Sequence, residues 1–311
     1  MIVALAGGVG AARMLNGLVA VVPPEDITAV VNTGDDTVLH GLHISPDLDT
    51  VTYTLAGMIN PETGWGLRGE TWSAMAEVRE LSGGRLSWFN LGDHDLGTHM
   101  FRTSRRSEGA PLSRIAAEIA DRWGLGLRIL PMTDDRVETR IILAEGGEIG
   151  FQEYFVGARH DVPVQGIRLA GIDDARPAPG VLDAIGAADT VVICPSNPVV
   201  SIGPVLAVPG IGPAVEGRRE AAVAVSPIIA GKALKGPADR MLTELGHESS
   251  VAGVARMWAP YAATLVIDEA DADRAGDVEA AGMRAVVGPT VMSGPQEAAA
   301  LARLVLGAAV R

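Results

Sequence analysis

The sequence predicts an α/β protein with a Rossmann-like, mostly parallel sheet, helices on both faces and an inserted α+β subdomain. Three observations point there. Short apolar runs of strand length recur along the chain and end in glycine or small polar residues. The first run passes through a glycine-rich turn into an amphipathic stretch, the strand–turn–helix start of a βαβ unit. The middle of the chain breaks this rhythm and gathers four of the five tryptophans, Trp65, Trp72, Trp88 and Trp123.

Taken in order, Ile2 to Ala6 reads as a strand, Gly7-Gly8-Val9-Gly10 as the turn, and about Ala11 to Val21 as a helix stopped by Pro23-Pro24. Ile27 to Val31 is a second strand, ending at Asn32-Thr33-Gly34-Asp35-Asp36. A helix begins near Thr50. Helical spacing near 70–81 and 111–123, strands at 127–131 and 139–144, a turn at Glu145-Gly146-Gly147-Glu148 and a strand at about 149–155 follow. The βα rhythm then returns. Thr190 to Cys194, Ala222 to Val225, Thr264 to Ile267 and Arg284 to Val287 are buried strands. We divide the chain into a core of residues 1–57 and 160–311 and an insertion, 58–159, that builds a lid or acceptor pocket.

Composition narrows the function. The hydrophobic fraction of 48% with only 4% aromatic residues suits a core of Ala, Val, Leu and Ile. A net charge of −13 argues against broad nucleic-acid binding, which relies on neutralising phosphates. A single nucleotide needs only a local nest of backbone N–H groups, a metal and one or two basic groups. The lone Cys194 rules out an intrachain disulfide and a cysteine-based zinc site. The first residues lack a basic leader, and no apolar run approaches the roughly 20 residues of a membrane span. The expectation is a cytoplasmic protein with no membrane partner.

Four clusters carry candidate chemistry. Gly7, Gly8 and Gly10 allow a backbone to approach phosphate at a helix N-terminus, with Arg13 three positions on; a plain tight turn is the competing reading. Asp35, Asp36, Asp47 and Asp49 are hard oxygen ligands suited to magnesium; some of them serve equally well as caps and turn formers, Asp47 or Asp49 at the start of the following helix. His40 and His43 read as loop residues, His94 and His99 as metal ligands or polar loop residues, and zinc is left out. Ser196, Asn197 and Ser201 follow a buried strand, as does Ser226, with Lys232 beyond it; these are candidate partners of a base, ribose or phosphate, or ordinary loop formers. Trp65, Trp72, Trp88 and Phe89 are candidates to stack on a flat heterocycle or to pack in the core.

In combination these stretches resemble the 2-phospho-L-lactate transferase family of coenzyme F-420 biosynthesis, especially its actinobacterial branch. The matching residues are Gly7 to Gly10, Asn32 to Asp36, Gly41 to Thr50, Gly64-Trp65-Gly66, Glu70-Thr71-Trp72, Trp88 to Asp93, Thr133-Asp134-Asp135, Ser196 to Gly203 and Ser226 to Ile229. One departure is Ala230-Gly231, where relatives often carry glycine first. The resemblance implies transfer of a phospho-three-carbon-acid group, phosphoenolpyruvyl or 2-phospholactyl, from a guanosine diphosphate-linked donor to the ribityl hydroxyl of the deazaflavin Fo, with release of GMP. It implies Mg2+ as cofactor and a homodimer. On this reading Asp35, Asp36 and Asp49 are catalytic, and Asp36, Asp47 and Asp49 hold the metal. Gly7, Gly8, Gly10, Arg13, Ser196, Asn197, Ser201, Ser226 and Lys232 bind the nucleotide, and Asn32, Asp35, Trp65, Trp72 and Thr98 bind the deazaflavin.

Two rivals have their own expectations. A non-catalytic nucleotide- or nucleotide-sugar-binding regulator would continue the paired Asp with Gly-Gly-Ser, whereas Thr37-Val38-Leu39 follows here. A Rossmann oxidoreductase would carry a fuller glycine fingerprint.

Overall fold

The computed structural model describes residues 1–309. Strand β1 (Ile2–Ala6) is buried throughout, because its alternate side chains enter cores on opposite faces of the sheet. Helix α1 (Gly8–Val19) and strand β2 (Ile27–Val31) complete the first βαβ unit. A hairpin of β3 (Thr37–Leu39) and β4 (Leu42–Ile44) turns at His40 and Gly41, both at positive φ, the geometry favoured in two-residue hairpin loops. Helix α2 (Pro46–Leu55) follows at once. Helices α3 (Ser73–Ser82), α4 (Asp93–Ser107) and α5 (Leu112–Arg122) lead to β5 (Arg128–Pro131).

Next come β6 (Glu138–Leu143), β7 (Glu148–Gly150) and β8 (Val164–Ala170), then α6 (Val181–Ala187) and β9 (Thr190–Ile193). Short helices α7 (Gly203–Ala207) and α8 (Ile211–Glu216) precede β10 (Ala222–Val225) and the small hairpin β11 (Ile228–Ile229) and β12 (Lys232–Ala233). The chain ends with α9 (Ala238–Glu244), α10 (Val251–Trp258), β13 (Thr264–Ile267), α11 (Ala275–Ala280), β14 (Arg284–Val287) and α12 (Pro295–Ala308).

Seven strands form one sheet in the order β14-β13-β10-β9-β1-β2-β5, and every neighbouring pair is parallel. Val3, Leu5, Val191 and Ile193 face a core built with α6, α8 and α10. Ile2, Ala4, Ala6 and Val192 face the other, built with α1 and α12. The α/β class with helices on both faces is thereby established. The strand order reverses between β1 and β9. At such a switch point the connections leave in opposite directions and open a crevice outside the carboxyl ends of the strands.

Three local features differ from the sequence expectation. Strand β5 lies within 58–159 yet forms an edge of the main sheet, whereas β8, from outside that range, pairs with β6 in a separate antiparallel sheet. The strand expected to reach 155 stops at Gly150, and residues Glu153–Gly157 form a π-turn. Phe151, Tyr154 and Phe155 stand at helical spacing and drop together onto Ile141, Val164 and Met241. Helix α2 begins at Pro46, not near Thr50, since proline suits the first helical position.

Candidate functional site

Three loops meet at the switch point, and their glycines permit the approach. A Cβ on Gly7 would lie 2.7 Å from Asp47 Oδ2 and 2.8 Å from the Ser201 Cβ. One on Gly10 would lie 2.3 Å from the Pro195 carbonyl oxygen. Gly7, Gly8 and Gly10 thus bring the start of α1 against both the loop after β9 and the first turn of α2. No acidic residue of α1 itself sits in that first turn. Asp47, from α2, supplies the nearby carboxylate instead.

Asn32, fully buried at the end of β2, organises the acidic cluster. Its Nδ2 donates to Asp35 Oδ1 at 2.8 Å and Asp47 Oδ2 at 2.9 Å, with the Val200 carbonyl at 3.3 Å, while its Oδ1 accepts from the Gly34 N–H at 2.8 Å. Asp36 Oδ2 accepts from Ser45 Oγ at 2.7 Å, but its Oδ1 is sealed from solvent with no hydrogen-bond partner among the described residues. Gln152, from the β7 side, donates to the Asp35 carbonyl at 3.3 Å.

These carboxyls are displaced towards the protonated form. Burial pushes Asp36 up to about 8, and burial pushes Asp47 up to about 6 against the opposing hydrogen bonds of Asn32 and Gly8. Asp35 is raised well above the ordinary range by burial, then by the charges of Asp47 and Asp36. Desolvation penalises the anion and outweighs the opposing hydrogen bonds, and for Asp36 also the opposing charge of Arg102.

Asp49 has a different environment. Its carboxylate is gripped by both terminal nitrogens of Arg102, one at 3.1 Å and the other in a shorter contact. Arg102 is only 2% exposed and also reaches His99 Nδ1 at 3.2 Å. His99 Nε2 lies 3.4 Å from Asp95, which accepts a 2.6 Å hydrogen bond from Tyr53 Oη. Thr98 lies beside His99 on α4. The expectation that Asp36, Asp47 and Asp49 share one metal therefore meets a geometric obstacle. Residues two apart on a helix diverge by about 200°, so Asp47 turns to the glycine loop and Asp49 to α4. Among the described residues no group of three or more His, Cys, Asp or Glu side chains closes on one metal position.

A cleft of about 160 Å³ opens beside Asp35 and Asp36, walled by Thr139, Gln152, Trp88 and Phe151. Its aromatic residues are Trp88 and Phe151; Trp65 and Trp72, 53% and 43% exposed, do not line it. The nucleotide-binding candidates are scattered in their uses. Ser196 Oγ is buried without a partner near the switch point, and Ser201 packs at Gly7. Asn197 caps the following turn by accepting from the Val199 and Val200 N–H groups. Ser226 Oγ bonds within its own turn to Ile228, and Arg13 donates to the Met292 carbonyl at 2.9 Å. Lys232 is exposed on the β11–β12 hairpin. Sequence reasoning missed Ser45, Arg102 and Gln152. Only the i, i+3 spacing of His99 and Arg102 on a helix whose outer face is polar signalled a buried polar pair.

Comparison with known proteins agrees with this architecture. A family profile described as 2-phospho-L-lactate transferase CofD matches residues 2–286. A phosphoenolpyruvate transferase of Streptomyces griseus is 47% identical over 312 residues, covering 98% of this chain and 97% of its own. One from Streptomyces coelicolor is 45% identical, covering 97% and 96%, and one from Thermobifida fusca is 46% identical, covering 99% and 96%. A crystal structure of a UPF0052 family member from Bacillus halodurans superposes with a TM-score of 0.63 at 17% identity, covering 98% of each chain, and so shares the fold. The glycine loop, the Asn32-centred acids and the extent of these matches place the chain in the 2-phospho-L-lactate transferase CofD family.

Proposed function

We propose that this chain is a transferase of coenzyme F-420 biosynthesis that moves a phosphoenolpyruvyl group from its guanosine diphosphate-linked donor to the terminal ribityl hydroxyl of Fo. The observation that carries this reading is the pair Asp35 and Asp36 at the switch point, lining a cleft with Trp88 and Phe151. The enolpyruvyl donor, in preference to the lactyl one, is supported by the streptomycete relatives, which are phosphoenolpyruvate transferases.

In the proposed reaction a new P–O bond forms from the ribityl oxygen while the phosphoanhydride bond to GMP breaks. Of Asp35 and Asp36, which both line the cleft, the carboxylate not engaged with the metal takes the hydroxyl proton. Trp88 and Phe151 offer stacking faces for the deazaflavin ring. Gly7, Gly8 and Ser201 border the nucleotide side, where the start of α1 offers backbone N–H groups to the diphosphate.

A magnesium ion fits this donor set. Among the described residues Asp36 Oδ1 is an enclosed carboxylate oxygen with no hydrogen-bond partner, and Asp35 and Asp47 form no ion pair. Magnesium characteristically takes one or two carboxylates and completes its shell with water and substrate phosphate oxygens. Bound there by Asp36 with Asp35 or Asp47, it would neutralise charge on the diphosphate. Asp49 is better assigned to fixing Arg102. A homodimer is the proposed assembly, by family analogy.

The test is a mass-spectrometric turnover assay with Fo and either the enolpyruvyl- or the lactyl-diphosphoguanosine, with and without EDTA. GMP and the dehydro deazaflavin product, formed only with free magnesium, are expected. Folded protein that binds GDP yet yields no product from either donor would refute the transferase reading and favour a nucleotide-binding regulator.

A further inference from the structure

A second, smaller cleft of about 70 Å³ lies on the opposite side of Asp36 and Thr37, between the β3–β4 hairpin, the end of α4 and residues 134–137. Its basic groups are Arg102, Arg106, Arg136 and His43. The arginines differ in commitment. Arg102 is held by Asp49, and Arg136 by Glu138 at 3.2 Å on the exposed side. Arg105 is held by Glu108 and Glu118. Arg106, the next residue, lies half-buried against the cleft and forms no ion pair among the described residues. Arg102 Nε, also on this side, is buried without a hydrogen-bond partner.

The acids of the cleft are otherwise occupied. Asp134 accepts from the Ser113 N–H at 2.6 Å and its hydroxyl at 2.8 Å, and Asp135 accepts from the Arg176 N–H at 2.9 Å. Burial, then the charges of Arg106, Arg102 and Arg136, hold the His43 imidazole below its usual range, so this pocket presents a positive field even to its own histidine. Its concentration of guanidinium groups suits an anionic group. Its shared wall with the main cleft is Asp36 and Thr37.

We infer that this cleft is the subsite for the carboxylate of the donor's three-carbon acid, with Arg106 as its main partner and Arg136 beside it. The inference rests on the transferase reading for the identity of the donor, and it assigns to Arg106 the selection of acid donors. A guanidinium suits this task because its fork matches the two oxygens of a carboxylate.

Calorimetric titration of the acid donor and of its carboxamide analogue into wild type, Arg106→Ala, Arg136→Ala and the surface control Arg114→Ala reads binding without turnover. We expect Arg106→Ala to weaken the acid donor about 10- to 100-fold, the range for a hydrogen bond to a charged group. Arg136→Ala weakens it by a smaller factor, and Arg114→Ala leaves it unchanged. The carboxamide binds wild type and Arg106→Ala alike. Equal weakening of acid and amide in Arg106→Ala would mean a phosphate contact, and no weakening of either would mean no contact; both overturn the inference. Failure of the transferase reading shows separately, as absence of product from wild type that binds the donor.

Discussion

Replacing Arg102 by alanine isolates the role of Asp49. The change removes both hydrogen bonds to the Asp49 carboxylate, the contact to His99 Nδ1 and a 3.4 Å bond to the His43 carbonyl. Asp49, itself only 6% exposed, then keeps only His99 Nδ1, 3.7 Å away, as a possible counter-charge. Breaking a buried pair from one side costs about 3–5 kcal/mol. At about 2–4 °C per kcal/mol for a chain of this size, the melting temperature should fall by roughly 6–20 °C. Asp49→Asn should also destabilise, because the Arg102 charge then lacks its counter-ion. The double variant Asp49→Asn/Arg102→Met should lose less than the sum of the two, with a coupling of about 2 kcal/mol or more. Urea unfolding followed by circular dichroism, in EDTA and again with magnesium, measures all three. Arg102→Ala within 1 kcal/mol of wild type, or strict additivity in the double variant, would refute the ion-pair assignment. A loss of stability in Asp49→Asn that appears only with magnesium would return Asp49 to the metal.

The remaining expectations are independent of that pair. Asp36 is raised from 3.8 to about 8, so the folded protein keeps a proton that the unfolded chain has already released. Its contribution is full below the ordinary carboxylate range and declines as the pH rises through 8, by up to about 1.4 kcal/mol per pH unit. Melting curves of metal-free protein from acid to alkaline pH should show this decline in wild type and a flatter profile in Asp36→Asn; equal slopes would contradict it. Gly10→Ala places a methyl group against a backbone carbonyl that has no rotamer to escape into, and should cost about 1–3 kcal/mol by thermal unfolding. Trp88→Ala should raise KM for Fo about tenfold, within the range of stacking on an aromatic face, whereas Trp65→Ala should change it less than twofold; the reverse order would move the deazaflavin away from this cleft. Ala230, at φ +48° in the β11–β12 turn, is strained where glycine is not, so Ala230→Gly should stabilise by about 0.5–1 kcal/mol in the same melts.

The parallel core was legible because its causes are local. Runs such as Ile2 to Ala6 and Ala222 to Val225 are apolar at every position, as strands covered on both faces must be, and glycines mark where the first run turns into a helix. The acids of the Asn32 to Asp36 stretch were legible for the same reason, since they directly follow a strand whose end the sheet topology opens to ligand. The roles of individual side chains were not. Asn32 joins Asp35 to Asp47 and to Val200, 168 residues away, and Arg102 meets Asp49 from another helix. No periodicity reports on partners at such separations.

One shift of boundary shows how much rides on this. Had α2 begun near Thr50, Asp47 and Asp49 would have stood in an extended loop with both carboxylates on one side, as the residue spacing of two invites. Starting at Pro46, the helix turns them about 200° apart. Asp47 is sent to the glycine loop and Asp49 to Arg102. The sequence by itself determined that acids, glycines and a parallel sheet occur together. The tertiary structure alone decided which acid turns to the glycine loop and which is neutralised in the core, because that choice rests on the helical phase of α2 and on the packing of α4 against it.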